Sequence, residues 1–102
     1  MNYSIKYSSE ALCELETLKE YIASELNAPI AAQKQVNRIT KAVRTLVIFP
    51  KLHRERRKTS KGNGLRIYPV DSYLILYSVD DEKQAVNISH IIYGGRDFDS
   101  LI

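Results

Sequence analysis

A single cysteine, Cys13, stands in a chain of 102 residues, so no disulfide can form within it. A domain this small without one must be held by its core, and a reducing cytoplasm is the compartment expected. No apolar run approaches the ~20 residues of a membrane span, and the opening Met1-Asn2-Tyr3-Ser4-Ile5-Lys6 lacks the basic-then-apolar order of a signal peptide. Neither export nor membrane attachment is expected. Glycine is scarce, and neither a P-loop nor a dinucleotide-binding glycine pattern is present. His53 and His90 lie far apart without metal-ligand spacing, so no metal and no cofactor are expected. Cys13 falls inside a predicted helix and reads as a small residue near the core edge rather than a nucleophile.

What the chain does contain is charge, unevenly placed. Residues 51–66 hold Lys51, Arg54, Arg56, Arg57, Lys58, Lys61 and Arg66 against the single acid Glu55. That segment is therefore +6, and since the whole chain is +3, the remainder is −3. Positive charge gathered in one place raises the local potential and attracts phosphate-rich partners more strongly than the same charge spread evenly.

The 44% hydrophobic content and 26% charge are ordinary for one globular domain, here taken as residues 1–102. Tyr3, Ile5 and Tyr7 alternate with polar residues as on a half-buried strand. Ser8 and Ser9 offer capping hydroxyls, and Ala11, Leu15, Leu18, Ile22 and Leu26 follow at helical spacing, predicting a helix over 9–26 whose other face is acidic. Asn27-Ala28-Pro29 breaks it, and Pro29 suits the first turn of a second helix with the stripe Ala32, Val36, Ile39, Val43 and Leu46. Phe49-Pro50 ends that helix, and the two should pack as an antiparallel hairpin. Residues 51–64 show no apolar periodicity and read as a loop with a turn at Gly62-Asn63-Gly64. Strands are predicted over 65–70, 73–79 and 85–93. The order is β-α-α-β-β-β: an α+β fold with the hairpin on one face of a mainly antiparallel sheet. The strand at 73–79 is apolar on both faces, and helices from this chain can cover only one, so exposed apolar surface is expected there for a binding segment.

Arg, Lys, His and Tyr side chains suffice for metal-free RNA cleavage, in which a ribose 2′-oxygen attacks the neighbouring phosphate. Cations meet the charge growing on the phosphoryl oxygens while another group moves a proton, and the arginine fork suits the first role. Period-two counting turns Arg66 and Tyr68 away from the helix-covered core, against Leu65 and Ile67. It sets Tyr93 with Asn87, Ser89 and Ile91, able to join Arg66 on an open face. His90 falls with Val86, Ile88 and Ile92 and reads as structural, leaving His53 as the accessible histidine. Two readings stay open here. Arg66 and Tyr93 are either a reactive face or a surface salt-bridge residue and a core-rim tyrosine, and the basic loop either binds phosphate or is a solvated connection.

Ser9-Glu10-Ala11 at the first helix, Phe49-Pro50 after the hairpin, Leu65-Arg66, Tyr73-Leu74-Ile75-Leu76-Tyr77 and Ile91-Ile92-Tyr93-Gly94-Gly95-Arg96-Asp97 follow in an order that resembles the RelE/ParE superfamily of type II toxin–antitoxin toxins. The resemblance spans nearly the whole chain. It implies a toxin restrained by a cognate antitoxin. RelE-like members cut mRNA on the ribosome without a metal, and ParE-like members poison DNA gyrase. In the RelE-like reading, the leading expectation, Arg66 and Arg96 stabilise phosphate charge and Tyr93 positions or protonates the scissile nucleotide. Lys51, His53, Arg54, Arg57, Lys58 and Lys61 then bind the nucleic-acid backbone. Gly95 stands where many relatives carry a basic residue, and no histidine stands in the closing motif. Those departures point to the alternative, a non-nuclease inhibitor of gyrase.

Overall fold

The structure, a computed structural model, describes residues 2–58 and 64–95. Strand β1 (Ser4–Tyr7) half-buries Ile5 and Tyr7 and exposes Ser4 and Lys6. Ser8 then adopts an extended backbone, its hydroxyl accepting from the Ala11 N–H at 2.9 Å and donating to the Ser89 carbonyl at 2.8 Å. That capping bond satisfies one of the free N–H groups of a helix start. Helix α1 (Ser9–Glu20) therefore begins where its sequence indicates and is tied at once to the last strand.

The helix does not run evenly to residue 26. It widens into a single π turn at Tyr21–Glu25, and Asn27, at φ 51°, takes the left-handed conformation that ends it. Pro29 opens helix α2 (Pro29–Thr45), whose missing N–H costs nothing in a first turn. Ala32, Ile39, Val43 and Leu46 are buried as their spacing predicts.

Among the described residues the sheet has one strand more than the sequence indicates. β2 (Glu55–Lys58) precedes β3 (Gly64–Val70), β4 (Tyr73–Asp80) and β5 (Ala85–Tyr93). Four charged residues carry no period-two apolar signal, so β2 was invisible to pattern reading; it forms because β3 offers a free edge of backbone donors and acceptors. The order is β1-β5-β4-β3-β2, antiparallel throughout except for the parallel pair β1 and β5.

The main core lies between hairpin and sheet, where Ile39, Val43 and Leu46 meet Ile75, Tyr77, Val86, Ile88 and Ile91. Leu65, Ile67, Leu76 and Ile92 form a second cluster on the other face. Two expectations are corrected here. Leu65 and Ile67 sit on the face without helices, while Tyr68 and Val70 pack toward them. Alternation separates two faces but, when both are apolar, does not say which bears the hairpin. The second cluster is also only 0–5% exposed, so the apolar surface expected on this strand is not there. It lies instead near the hairpin tip, at Tyr21, Leu26 and Ile30, and just after α2, at Ile48, Phe49 and Leu52.

A bulge corrects β5 as well. Tyr77 faces Ile88 but Leu76 faces His90, which leaves Ser89 as an extra residue. One extra residue reverses the parity of everything beyond it. Val86, Ile88 and Ile91 consequently all reach the main core, while Ile92 joins the opposite cluster.

Candidate functional site

Arg66 stands opposite Tyr77 in the β3–β4 ladder, on the helix-bearing face. The loop after α2 covers it. That loop is tied back by Phe49 N–H to the Thr45 carbonyl at 3.0 Å, Leu52 N–H to the Phe49 carbonyl at 3.1 Å, and His53 N–H to the Tyr77 hydroxyl at 3.4 Å. From below, Arg66 Nη1 donates to the His53 carbonyl at 2.6 Å, and Nη2 lies 3.9 Å from Glu55 Oε1. The Arg66 side chain is 11% exposed, and its Nε makes no hydrogen bond to the described residues. Arg66 is thus directed into a loop rather than onto an open face.

His53 is half-buried, its ring centroid 4.4 Å from that of Tyr68 and its Nε2 buried without a hydrogen-bond partner among the described residues. Burial, reinforced by the charge of Arg56, pushes its pKa below the ordinary histidine value. The histidine expected to be accessible therefore favours the neutral form.

Lys51 is paired. Its Nζ lies 2.8 Å from Asp81 Oδ2, and Oδ1 of the same carboxylate accepts from the Tyr3 hydroxyl at 2.7 Å. These two bonds hold the Asp81 carboxyl below the usual range, and the same carboxylate raises Lys51 and Tyr3. Arg54 and Arg56 are exposed. The side chains of Arg57 and Lys58, and Lys61 and Arg96 entirely, lie outside the described residues.

Tyr93 also projects on the helix side, because the Ser89 bulge turned it there. It pairs with Tyr73, four residues along β4 from the partner of Arg66. With a strand rise of ~3.3 Å and a strand spacing of ~4.8 Å, their backbones stand about 16 Å apart. The two share a face without sharing a site. Tyr93 is 61% exposed, its ring edge-on to Tyr73 at 6.2 Å, and both line a groove of about 770 Å³ with Tyr21, Leu26, Ile91 and Arg38. Burial raises the Tyr73 phenol. Beside the groove, Glu14 Oε1 accepts from the Ile91 N–H at 3.0 Å, and both its oxygens lie 3.2 Å from His90 Nδ1. The His90 side chain, 17% exposed, is thus bonded to Glu14, and the bulge separates it from the expected grouping with Val86 and Ile88.

Arg38 Nε and Gln35 Nε2 both donate to Asp71 Oδ2, at 2.6 and 3.0 Å, and hold that carboxyl below its usual range. Cys13, expected near the core edge, is exposed. Among the described residues no three His, Cys, Asp or Glu side chains are grouped to hold a metal ion, and no helix is long and apolar enough to cross a membrane. Sequence reading missed the anchoring acids Glu14, Asp71 and Asp81, which carry no local signature. It also read Phe49-Pro50 as a helix stop, whereas the structure leaves the Phe49 side chain exposed.

A helical hairpin on one face of a mainly antiparallel sheet, five-stranded among the described residues, is the RelE/ParE-like fold. A chromosomal ParDE TA system from P. aeruginosa is similar at TM-score 0.70 and 19% identity, over 89% of this chain and 95% of that one. The archaeal RelE-RelB complex from Pyrococcus horikoshii OT3 follows at 0.67 and 17%, over 95% and 100%. The isolated E. coli RelE toxin gives 0.60 and 16%, over 97% and 92%. A search of curated proteins gives no match. The family described as ParE toxin of type II toxin-antitoxin system, parDE, matches residues 5–98, and the chain belongs to it.

Proposed function

We propose that this toxin acts in the ParE manner, by binding and inhibiting DNA gyrase without cutting nucleic acid, and that a cognate antitoxin restrains it. Residues 1–102 work as one toxin domain in this reading. The observation that carries it is the separation and sequestration of the described groups a nuclease would draw on, Arg66, Tyr93 and His53. In-line cleavage of RNA requires cations and a proton-transfer group around one phosphate, each within about 3 Å of its atom. Arg66 instead donates to the His53 carbonyl at 2.6 Å, and Tyr93 lies about 16 Å away by strand geometry. His53 has its Nε2 buried and favours the neutral form. Membership in the ParE family supports the same reading. An antitoxin partner is supported by relatives that are themselves toxin–antitoxin systems, and the groove beside exposed Tyr21, Leu26 and Tyr93 offers a segment of it an apolar seat.

The test is a pair of reactions with the purified chain. Gyrase-driven DNA supercoiling should be inhibited at near-stoichiometric toxin, while mRNA on programmed ribosomes stays intact. Cleaved mRNA together with unaffected supercoiling would reverse the assignment in favour of the endoribonuclease, with Arg66, Tyr93 and Arg96 as its reactive residues.

A further inference from the structure

Ile48, Phe49 and Leu52 are 63%, 62% and 52% exposed, three large apolar side chains within five residues. Arg44, four residues before Ile48, and Arg54 and Arg56, two and four residues after Leu52, are exposed. We infer that this loop is the element by which the toxin docks on its protein target, its apolar side chains entering an apolar cleft whose rim is acidic. The inference rests on the reading of the chain as a non-enzymatic inhibitor, and it assigns that activity a surface.

Three physical features support a docking element over an incidental loop. The first is chemistry. Bulky apolar groups flanked in the chain by exposed cations match the buried anchors and charged rim that carry affinity and orientation at protein interfaces. The second is rigidity. Ile48 and Phe49 N–H groups both donate to the Thr45 carbonyl, and the Val47 carbonyl accepts from the Tyr3 N–H at 2.9 Å. Lys51 is bonded to Asp81, and Arg66 grips the His53 carbonyl. A loop fastened on both sides loses little conformational entropy when it binds, so its apolar groups act as preorganised anchors. The third is position. The loop follows the C-terminal end of α2, whereas Tyr21, Leu26 and the groove lie toward the hairpin tip, so target and antitoxin would meet different surfaces.

A protein fits better than the other polyanionic or apolar partners. Nucleic acid would draw on Arg54 and Arg56 without any need for Ile48 or Leu52. Peripheral membrane binding ordinarily uses a long amphipathic helix, and the apolar patch here is three side chains of a short loop.

Four purified full-length chains test the inference: wild type, Phe49→Ser/Leu52→Ser, Arg54→Ser/Arg56→Ser, and Ile30→Ser as a control at the hairpin tip. Circular dichroism and thermal melts establish that each is folded. Binding to purified gyrase, inhibition of supercoiling and growth arrest on induction are then measured. The apolar double variant should bind gyrase at least tenfold more weakly and no longer arrest growth. The arginine variant should bind more slowly and with less salt dependence, and Ile30→Ser should match wild type. If folded Phe49→Ser/Leu52→Ser binds gyrase and arrests growth as wild type does, the docking loop is wrong while the gyrase reading stands. Should wild type bind no gyrase yet arrest growth only with Phe49 and Leu52 intact, the gyrase reading fails and the loop stands for another protein target. Growth arrest without gyrase binding and without dependence on those residues overturns both, as does a wild-type chain that neither binds gyrase nor arrests growth. Loss, in the double variant, of sedimentation with phosphatidylglycerol vesicles or of affinity for an RNA oligonucleotide would overturn the choice of a protein partner.

Discussion

Arg66 sits where a charge is costly unless it is bonded, and its 2.6 Å bond to the His53 carbonyl shows how the cost is offset. Arg66→Ala should destabilise the fold by roughly 1.5–3 kcal/mol in urea unfolding, because a charge-assisted bond is lost and a loop carbonyl loses its donor. Exposed Arg54→Ala should stay within about 0.5 kcal/mol of wild type. His53 gives a pH signature. Its folded pKa lies below 6.5, so as pH falls the unfolded chain takes up the proton first. Its contribution is complete above pH 6.5 and diminishes as pH drops through the window beneath that value. Unfolding curves at pH 7.5 and 5.5 should show wild type losing more stability than His53→Asn between the two. The residue types at 53 and 66 were legible as a basic segment. Their burial was not, since it depends on a loop from α2 closing over β3.

At the scale of elements, two serines do more than their size suggests. Ser8 both caps α1 and bonds the Ser89 carbonyl, so Ser8→Ala should cost roughly 1–2 kcal/mol, as an N-cap loss with an added hydrogen bond. Ser89 is the bulge residue, with its hydroxyl on the Leu76 carbonyl at 3.0 Å. Substituting it with alanine removes about 1 kcal/mol of hydrogen bonding. Deleting it reverses the parity of Ile91, Ile92 and Tyr93, and should leave no cooperatively folded protein by near-UV circular dichroism or amide dispersion in NMR. The helices were legible because caps, Pro29 and apolar stripes are local signals. The bulge was not, because Ala85 to Tyr93 is apolar enough to alternate plausibly in either phase. Edge strand β2 was hidden for a different reason: its pairing comes from β3, not from its own side chains.

Across the whole molecule, carboxylates join segments remote in sequence. Asp71 ties the β3–β4 turn to α2, and Asp81 ties the β4–β5 turn to Tyr3 and Lys51. Both carboxyls are held below 3.8, so folding favours their ionised forms. The stability they add is complete above about pH 5 and is lost as pH falls through their folded values. Asp71→Asn and Asp81→Asn should each flatten the acid limb of the stability profile, measured by urea unfolding from pH 5 down to pH 2.5. The amino-acid order by itself determined the α+β class, the hairpin and four of the five described strands, because these follow from spacing, caps and breakers within short windows, while the RelE/ParE kinship was carried by resemblance in the order of its motifs. Only the tertiary structure decided that the basic stretch is part loop and part edge strand, that Arg66 points inward, and that Tyr93 stands far from it. Those facts depend on which face of a doubly apolar sheet receives the helices and on one extra residue in its last strand, and neither leaves a mark on local sequence.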